Sequence, residues 1–74
     1  MKFEIYSVKD IAGGQFSDLK CFINKPVAIR WFNGLCIESK IASDLQLYKL
    51  GNYNVESGQI EPCCEFVKGG VADE

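Results

Sequence analysis

The sequence predicts a small α+β domain, with one helix packed on an antiparallel sheet in the order β-α-β-β and a short fourth strand as an open alternative. Three observations favour this fold class. Residues 3–8 have the composition of a strand, apolar residues recur at helical spacing after Pro26, and residues 45–61 are typical of two strands joined by a tight turn. A chain of 74 residues fits one domain, which we predict over 1–70, followed by a frayed acidic tail at 71–74.

The first strand is predicted over Phe3–Val8, where aromatic and β-branched residues alternate with polar ones. Phe3 and Ile5 share one face of this strand, and the intervening residues share the other, so we expect cover on both sides. The glycine pair at 13–14 interrupts regular structure, and the apolar residues from there to Asn24 show no sustained period. An ordered loop is therefore predicted between the strand and the helix.

The helix is predicted from Pro26 to Cys36. Proline suits the first turn because its fixed φ is helical and its missing N–H has no partner there, which makes Asn24 or Lys25 the cap. Helical spacing predicts one buried stripe, formed by Ala28, Trp31, Phe32 and Leu35. The opposite side of the helix carries Arg30, Asn33 and Gly34.

The second half of the chain predicts a hairpin. Residues 37–43 are ambiguous and could extend the helix by a turn, whereas Leu45–Tyr53 has the pattern of a strand with a bulge near Gly51. Asn54–Gly58 is suited to the turn, and residues 59–61 form the returning strand. Pro62 ends that strand or lies on a sheet edge, and residues 65–67 are candidates for the short fourth strand.

The composition argues against an enzyme, because the chain contains no histidine. Histidine is the commonest general base near neutral pH and completes the Ser-His and Cys-His pairs of many hydrolases. The glycine pairs at 13–14 and 69–70 lack the spacing and the following Lys-Ser or Lys-Thr of a phosphate-binding loop. We therefore expect neither catalysis nor a cofactor.

Cysteine spacing and hydropathy suggest the compartment. Cys21, Cys36, Cys63 and Cys64 do not form the two C-x-x-C pairs typical of a zinc site, so we expect no metal. The sequence has no apolar run of about 18 residues and begins without the apolar core of an export signal. These features predict reduced thiols, no membrane partner and a cytoplasmic location.

Aromatic and cationic side chains remain as candidates for a functional surface. The net charge is −2, but residues 1–50 carry +2 and residues 51–74 carry −4. In single-strand binding, unpaired bases stack on aromatic rings while Lys and Arg follow the phosphates. The candidate cations are Arg30, Lys25, Lys9, Lys20 and Lys49, and the candidate stacking residues are Tyr6 and Tyr48. The alternative is that the aromatic residues, Trp31 above all, belong to the core and that the lysines only keep the chain soluble.

Four motifs carry a resemblance to a known family. Taken in order, residues Ile5–Asp10, Val27–Phe32, Asp44–Asn54 and Gly58–Pro62 resemble the small nonstructural protein of gokushovirus-type microviruses, which are bacteriophages with circular single-stranded DNA genomes. The resemblance spans about residues 4–62. It implies a DNA-binding accessory protein in the host cytoplasm that turns viral DNA replication toward single-strand synthesis and genome packaging.

Two expectations about partners follow. The negative net charge predicts weak binding of single-stranded DNA by one copy, and a homodimer would raise the affinity by joining two cationic surfaces. The alternative function is a protein interaction module that binds a viral or host replication protein, or a capsid protein, through a sheet edge or the helix without touching DNA.

Overall fold

An antiparallel sheet with a helix on one side forms the part of the chain that the structure, a computed structural model, describes, namely residues 1–70. The predicted tail at 71–74 lies outside the described residues. The elements are β1 (Lys2–Asp10), β2 (Gln15–Phe16), β3 (Lys20–Phe22), α1 (Lys25–Glu38), a 3-10 turn (Ala42–Asp44), β4 (Leu45–Asn54) and β5 (Ile60–Gly69). The predicted fold class is confirmed.

The sheet has the order β2-β1-β4-β5, and β3 pairs with β1 on the edge that β2 also uses. Lys9 lies opposite Phe16, and Ile5 lies opposite Cys21. The prediction of a loop between β1 and the helix is therefore wrong in part, because two short strands form there. Backbone pairing to the edge of β1 requires no side-chain period, which explains why the sequence did not show these strands.

The helix begins at Lys25, one residue before the predicted start at Pro26, and Asn24, one of the two predicted caps, is its N-cap. The Val27 N–H donates to Asn24 Oδ1 at 3.0 Å, which satisfies one of the unpaired donors of the first turn. The helix extends two residues beyond the predicted end at Cys36, to Glu38. The predicted buried stripe is only partly correct, because Leu35 is exposed while Cys36 packs against the core.

The core lies between the helix and one face of the sheet. Its buried members are Tyr6, Val8, Ala28, Phe32, Leu45 and Leu47. Trp31 is half-buried at one side of this cluster, with its ring centroid 5.3 Å from that of Phe22 on β3. The helix therefore covers the end of the sheet where β1 finishes and β4 begins.

The hairpin between β4 and β5 follows the predicted turn. Asn54 Oδ1 accepts hydrogen bonds from the backbone of Glu56 and Ser57, at 2.9 and 3.2 Å, and Gly58 supplies a φ of +77°. The predicted bulge near Gly51 is confirmed. The predicted end of the strand at Pro62 is wrong, since β5 runs through this residue, which lies on the sheet edge as the other alternative proposed.

No helix among residues 1–70 is long and apolar enough to cross a membrane.

Candidate functional site

The sheet has two faces, and the helix covers only one of them. Val8 lies directly opposite Leu47, and both pack under the helix. Because successive side chains of a strand point to opposite faces, their neighbours Lys9 and Tyr48 lie on the other side, which we call the open face. Alternation and strand register assign to the open face Phe3, Ile5, Ser7, Lys9, Phe16, Gln46, Tyr48, Tyr53, Ile60, Pro62 and Phe66. Two of these, Ile5 and Ser7, are buried, and the Ser7 hydroxyl donates to the backbone oxygen of Ser17 at 2.8 Å, so this face is accessible only outside that part of β1.

Three aromatic rings form a row across the open face. The ring centroid of Tyr48 lies 5.3 Å from that of Phe16 and 5.7 Å from that of Phe66, with the ring planes at 80° and 73°. Phe16 is 43% exposed and Phe66 is 56% exposed, while Tyr48 is half-buried between them. We call these three residues the aromatic row. It crosses the strands instead of following one of them, because its members come from β2, β4 and β5.

Lys9 provides a positive charge at one end of the aromatic row. Its ammonium nitrogen lies 5.7 Å from the ring centroid of Phe16, within the range of a cation–π contact. No carboxylate of the described residues lies within 4 Å of this nitrogen. The structure thus brings together two of the residues singled out from the sequence, Lys9 and Tyr48.

The carboxylates of the strands all lie on the helix side of the sheet. In β1, Glu4 and Asp10 alternate with the residues of the open face. In β5, Glu61 lies opposite Asn52, and Asn52 lies opposite Glu4, so Glu61 is on the same side as Glu4. Glu65 lies opposite Lys49, which is also on the helix side. The open face therefore carries aromatic groups and one cation, although the chain as a whole is acidic.

Tyr6 is a correction to the predicted site. This side chain is fully buried, and its hydroxyl donates to Glu4 Oε1 at 2.7 Å. Burial raises the pKa of the Tyr6 hydroxyl, and the hydrogen bond to Glu4 raises it further. Because Tyr6 lies on the helix side of β1, where its ring meets that of Phe22 at 6.1 Å, it cannot stack on a bound base.

Two of the predicted cations are engaged elsewhere. The Lys49 side chain is only 16% exposed and pairs with Glu4 at 3.7 Å, on the helix side of the sheet. The structure therefore places Lys49 away from the aromatic row, with its charge balanced in a partly buried site, and its contact with phosphate stays a prediction. Lys20 also lies on the helix side, opposite Tyr6, and forms an exposed pair with Asp18 at 3.7 Å.

Arg30 and Lys25 lie on the helix, on the other side of the sheet from the aromatic row. Both residues are exposed, and neither has a carboxylate partner within 4 Å in the part of the chain that the structure describes. The structure therefore divides the predicted cations between two surfaces. One surface carries Lys9, and the other carries Arg30 and Lys25.

Neither Phe16 nor Phe66 was singled out from the sequence as a member of the site. The residue types were visible, but membership of the row depends on register. Tyr48 is opposite Phe66 because β5 continues past Pro62, and Lys9 is opposite Phe16 because β2 exists. Neither strand pairing has a signal in the local sequence.

The fold and the site together define a small α+β protein with a helix on one face of its sheet and an aromatic row on the other. The family model described as Phage ORF5 protein matches residues 3–72. The chain belongs to this family of phage proteins. No curated protein and no solved structure matches the chain at a significant level.

Proposed function

We propose that this phage protein binds single-stranded DNA on its open face, with little sequence preference and without catalysing a reaction. The observation that carries the proposal is the aromatic row beside Lys9 on a face without strand carboxylates. Every base has a π-face, so stacking on Phe16, Tyr48 and Phe66 accepts any sequence. Duplex DNA is excluded from such stacking, because its base faces are covered by their neighbours.

The charge distribution explains how an acidic protein can bind a polyanion. Phosphates that approach the open face meet Lys9, while Glu4, Asp10, Glu61 and Glu65 lie behind the sheet. Stacking contributes about 1–3 kcal/mol per base, whereas each phosphate contact contributes mainly through release of counterions. We expect stacking to dominate the affinity, and a single cation to give only a shallow salt dependence.

Fluorescence anisotropy of a labelled oligothymidylate, titrated with the protein at two salt concentrations, tests the proposal. We expect saturable binding below about 100 μM, the range of loose non-specific binding, and weaker binding at the higher salt concentration. Phe66→Ala removes one member of the row and should weaken binding by about 5-fold or more, the lower limit for one stacked base. Ile60→Ala is the matched control, because Ile60 lies on the same strand and face, is 57% exposed and is not part of the row.

Two results would contradict the proposal. The first is an absence of salt-sensitive binding below about 100 μM. The second is an equal loss of affinity in Phe66→Ala and Ile60→Ala, because this would show that the row has no special part in binding. Circular dichroism of each variant establishes that the fold is retained.

The role in infection belongs to the same proposal. The resemblance of residues 4–62 to the nonstructural protein of gokushovirus-type microviruses supports a protein of the host cytoplasm that assists the switch from viral DNA replication to single-strand synthesis and genome packaging. A phage that carries Phe66→Ala should accumulate duplex replicative DNA and package less single-stranded DNA than a phage that carries Ile60→Ala. A homodimer would strengthen binding through two rows, which sedimentation velocity at tens of micromolar tests directly.

A protein partner is the second candidate function, and exposed Ile37 is the observation that favours it. This residue is 85% exposed on the outer surface of the helix, where an apolar side chain gains nothing from folding. Strand addition is less favoured, because Pro62 and two register shifts interrupt the edge strand β5. Lys9→Glu should weaken DNA binding and leave a replication or capsid protein bound through the helix, whereas Ile37→Glu should leave DNA binding unchanged and release that protein.

A further inference from the structure

We propose that a bound strand continues from Phe66 around the outer edge of β5, and that Lys68 and Arg30 bind its phosphates on the helix side. This inference rests on the proposed function and extends the same site. It assigns a role to Lys68. It also connects the open face, which carries Lys9, with the helix surface, which carries Arg30 and Lys25.

The irregular end of β5 places groups on both sides of one sheet edge. Tyr48 lies opposite Phe66, and its neighbour Leu47 lies opposite Lys68, so that Val67 is an extra residue in β5. Phe66 therefore lies on the open face, while Lys68 lies on the helix side with Leu47. Two residues of a strand span at most about 7 Å, so a chain leaving the Phe66 ring needs to cross only the edge of one strand to meet Lys68.

The ammonium group of Lys68 is held against the helix and keeps unused hydrogen-bonding capacity. Its nitrogen donates to Asn33 Oδ1 at 2.8 Å, which occupies one of three N–H donors. An amide oxygen carries no net charge, and no carboxylate of residues 1–70 lies within 4 Å of this nitrogen. The positive charge of Lys68 is thus positioned but not neutralised by any carboxylate of residues 1–70.

Arg30 lies next to this contact on the helix surface, toward the outer side that also carries Ile37. It precedes Asn33 by three residues, which places the two side chains next to each other on the helix surface. The opposite flank is marked by Trp31, whose ring packs against Phe22 on β3. The side of the helix that carries Asn33 therefore faces β5, where Lys68 reaches it, and Arg30 lies one step farther out on the helix surface.

The edge of β5 suits a nucleic-acid backbone better than another strand. β5 is the last strand of the sheet, and Pro62 together with the extra residue Val67 breaks the regular row of donors and acceptors that strand pairing needs. The nearest carboxylate of β5 is that of Glu65, which lies opposite Lys49 on the helix side. Between Glu65 and the end of β5 at Gly69, Lys68 is the one charged residue.

Oligonucleotide length tests this path. Anisotropy titrations of the full chain with labelled dT4 and dT12, at salt concentrations from 50 to 200 mM, compare Lys68→Gln and Arg30→Gln with the control Lys40→Gln. The control removes an exposed charge beyond the end of the helix. We expect all three variants to bind dT4 like the natural chain, because a strand of four nucleotides is occupied at the aromatic row and does not reach Lys68.

With dT12, Lys68→Gln and Arg30→Gln should each lower the slope of log affinity against log salt by about 0.7, the value for one phosphate contact on a single strand. Between 50 and 200 mM salt, the affinity of each of these variants should therefore fall by a factor about 2.6 times smaller than the factor by which the affinity of the natural chain falls. Lys40→Gln should keep the natural slope. Asn33→Ala removes the partner of Lys68 but keeps its charge, and it should bind dT12 with the natural slope. This result would show that the lower slope of Lys68→Gln comes from loss of the charge and not from loss of the contact with Asn33.

The outcomes separate this inference from the function on which it rests. If Phe66→Ala loses binding while Lys68→Gln and Arg30→Gln keep the natural slope with dT12, the strand does not turn around β5 and the inference is overturned, although the open face still binds DNA. A loss in Lys68→Gln that is equal for dT4 and dT12 also overturns it. If the natural chain binds neither oligonucleotide, the proposed function itself fails.

Discussion

Alanine in place of glycine should have opposite effects on stability at Gly34 and Gly51, although the chemical change is the same. Gly34 is exposed in the middle of the helix, and a Cβ placed there meets no atom within 4 Å. Gly51 is buried at the bulge of β4, with a φ of +159°. A Cβ at this position would lie 2.6 Å from the carbonyl oxygen of Glu61 and 3.3 Å from the Cα of Pro62, both on β5.

The expected magnitudes follow from these surroundings. Gly34→Ala should raise the free energy of unfolding by about 1 kcal/mol, the difference in helix propensity between the two residues. Gly51→Ala should lower it by about 2 kcal/mol or more, because the new methyl group overlaps a backbone atom that can move only if β5 moves. The two variants should therefore differ by about 3 kcal/mol, which corresponds to roughly 12–24 °C in melting temperature for a domain of this size.

Urea unfolding followed by fluorescence of Trp31, the single tryptophan, measures both variants against the natural chain. Far-UV circular dichroism in the same samples reports the helix and the sheet together. The reasoning would be refuted if Gly51→Ala were as stable as the natural chain, since β4 and β5 would then not approach as closely as the structure shows. Destabilisation by Gly34→Ala would likewise show that the helix surface at this position is not open.

Three further predictions concern single groups. Burial raises the pKa of the Tyr6 hydroxyl above its value in the unfolded chain, which is about 10. Its contribution to stability is therefore fully present below about pH 10 and is lost as the pH rises above that value. In urea unfolding from pH 8 to 11, the free energy of unfolding should fall more steeply for the natural chain than for Tyr6→Phe. Asn24→Ala removes the acceptor for the Val27 N–H and should lower the melting temperature by about 4–8 °C, equivalent to about 1 kcal/mol, in a thermal scan. Burial also raises the pKa of the Cys36 thiol, so iodoacetamide at pH 8 should modify exposed Cys64 before Cys36, as peptide mass spectrometry of a time course would show.

The parts of the fold that the sequence predicted are those with local causes. Asn24 and Pro26 determine the start of the helix through one side-chain oxygen and one fixed torsion. Asn54 and Gly58 determine the hairpin turn in the same way, through hydrogen bonds to the next residues and a positive φ. In each case the stabilising groups lie within four residues of one another, so composition and spacing are sufficient.

The missed features depend on contacts between distant segments. Leu35 has the spacing of a core residue, yet it is exposed while Cys36 packs inward, with its sulfur beside Gly70, the residue that follows β5. Tyr6 looks like a surface aromatic beside charged residues, but the pairing of Glu4 with Lys49 balances the charge next to it and permits burial. No window of the sequence contains both partners of these contacts.

Net charge is a poor guide to what this protein can bind, because strand alternation sorts the charges by face. In β1, Lys9 occupies an odd position, whereas both carboxylates, Glu4 and Asp10, occupy even ones together with Lys2, so Lys9 and the carboxylates of the same strand lie on opposite sides of the sheet. A slip of β1 by one residue against β4 would place the carboxylates beside Tyr48 and Lys9 under the helix. The surface that we propose for DNA therefore depends on register more than on composition, and the buried pair of Val8 and Leu47 under the helix is what fixes that register.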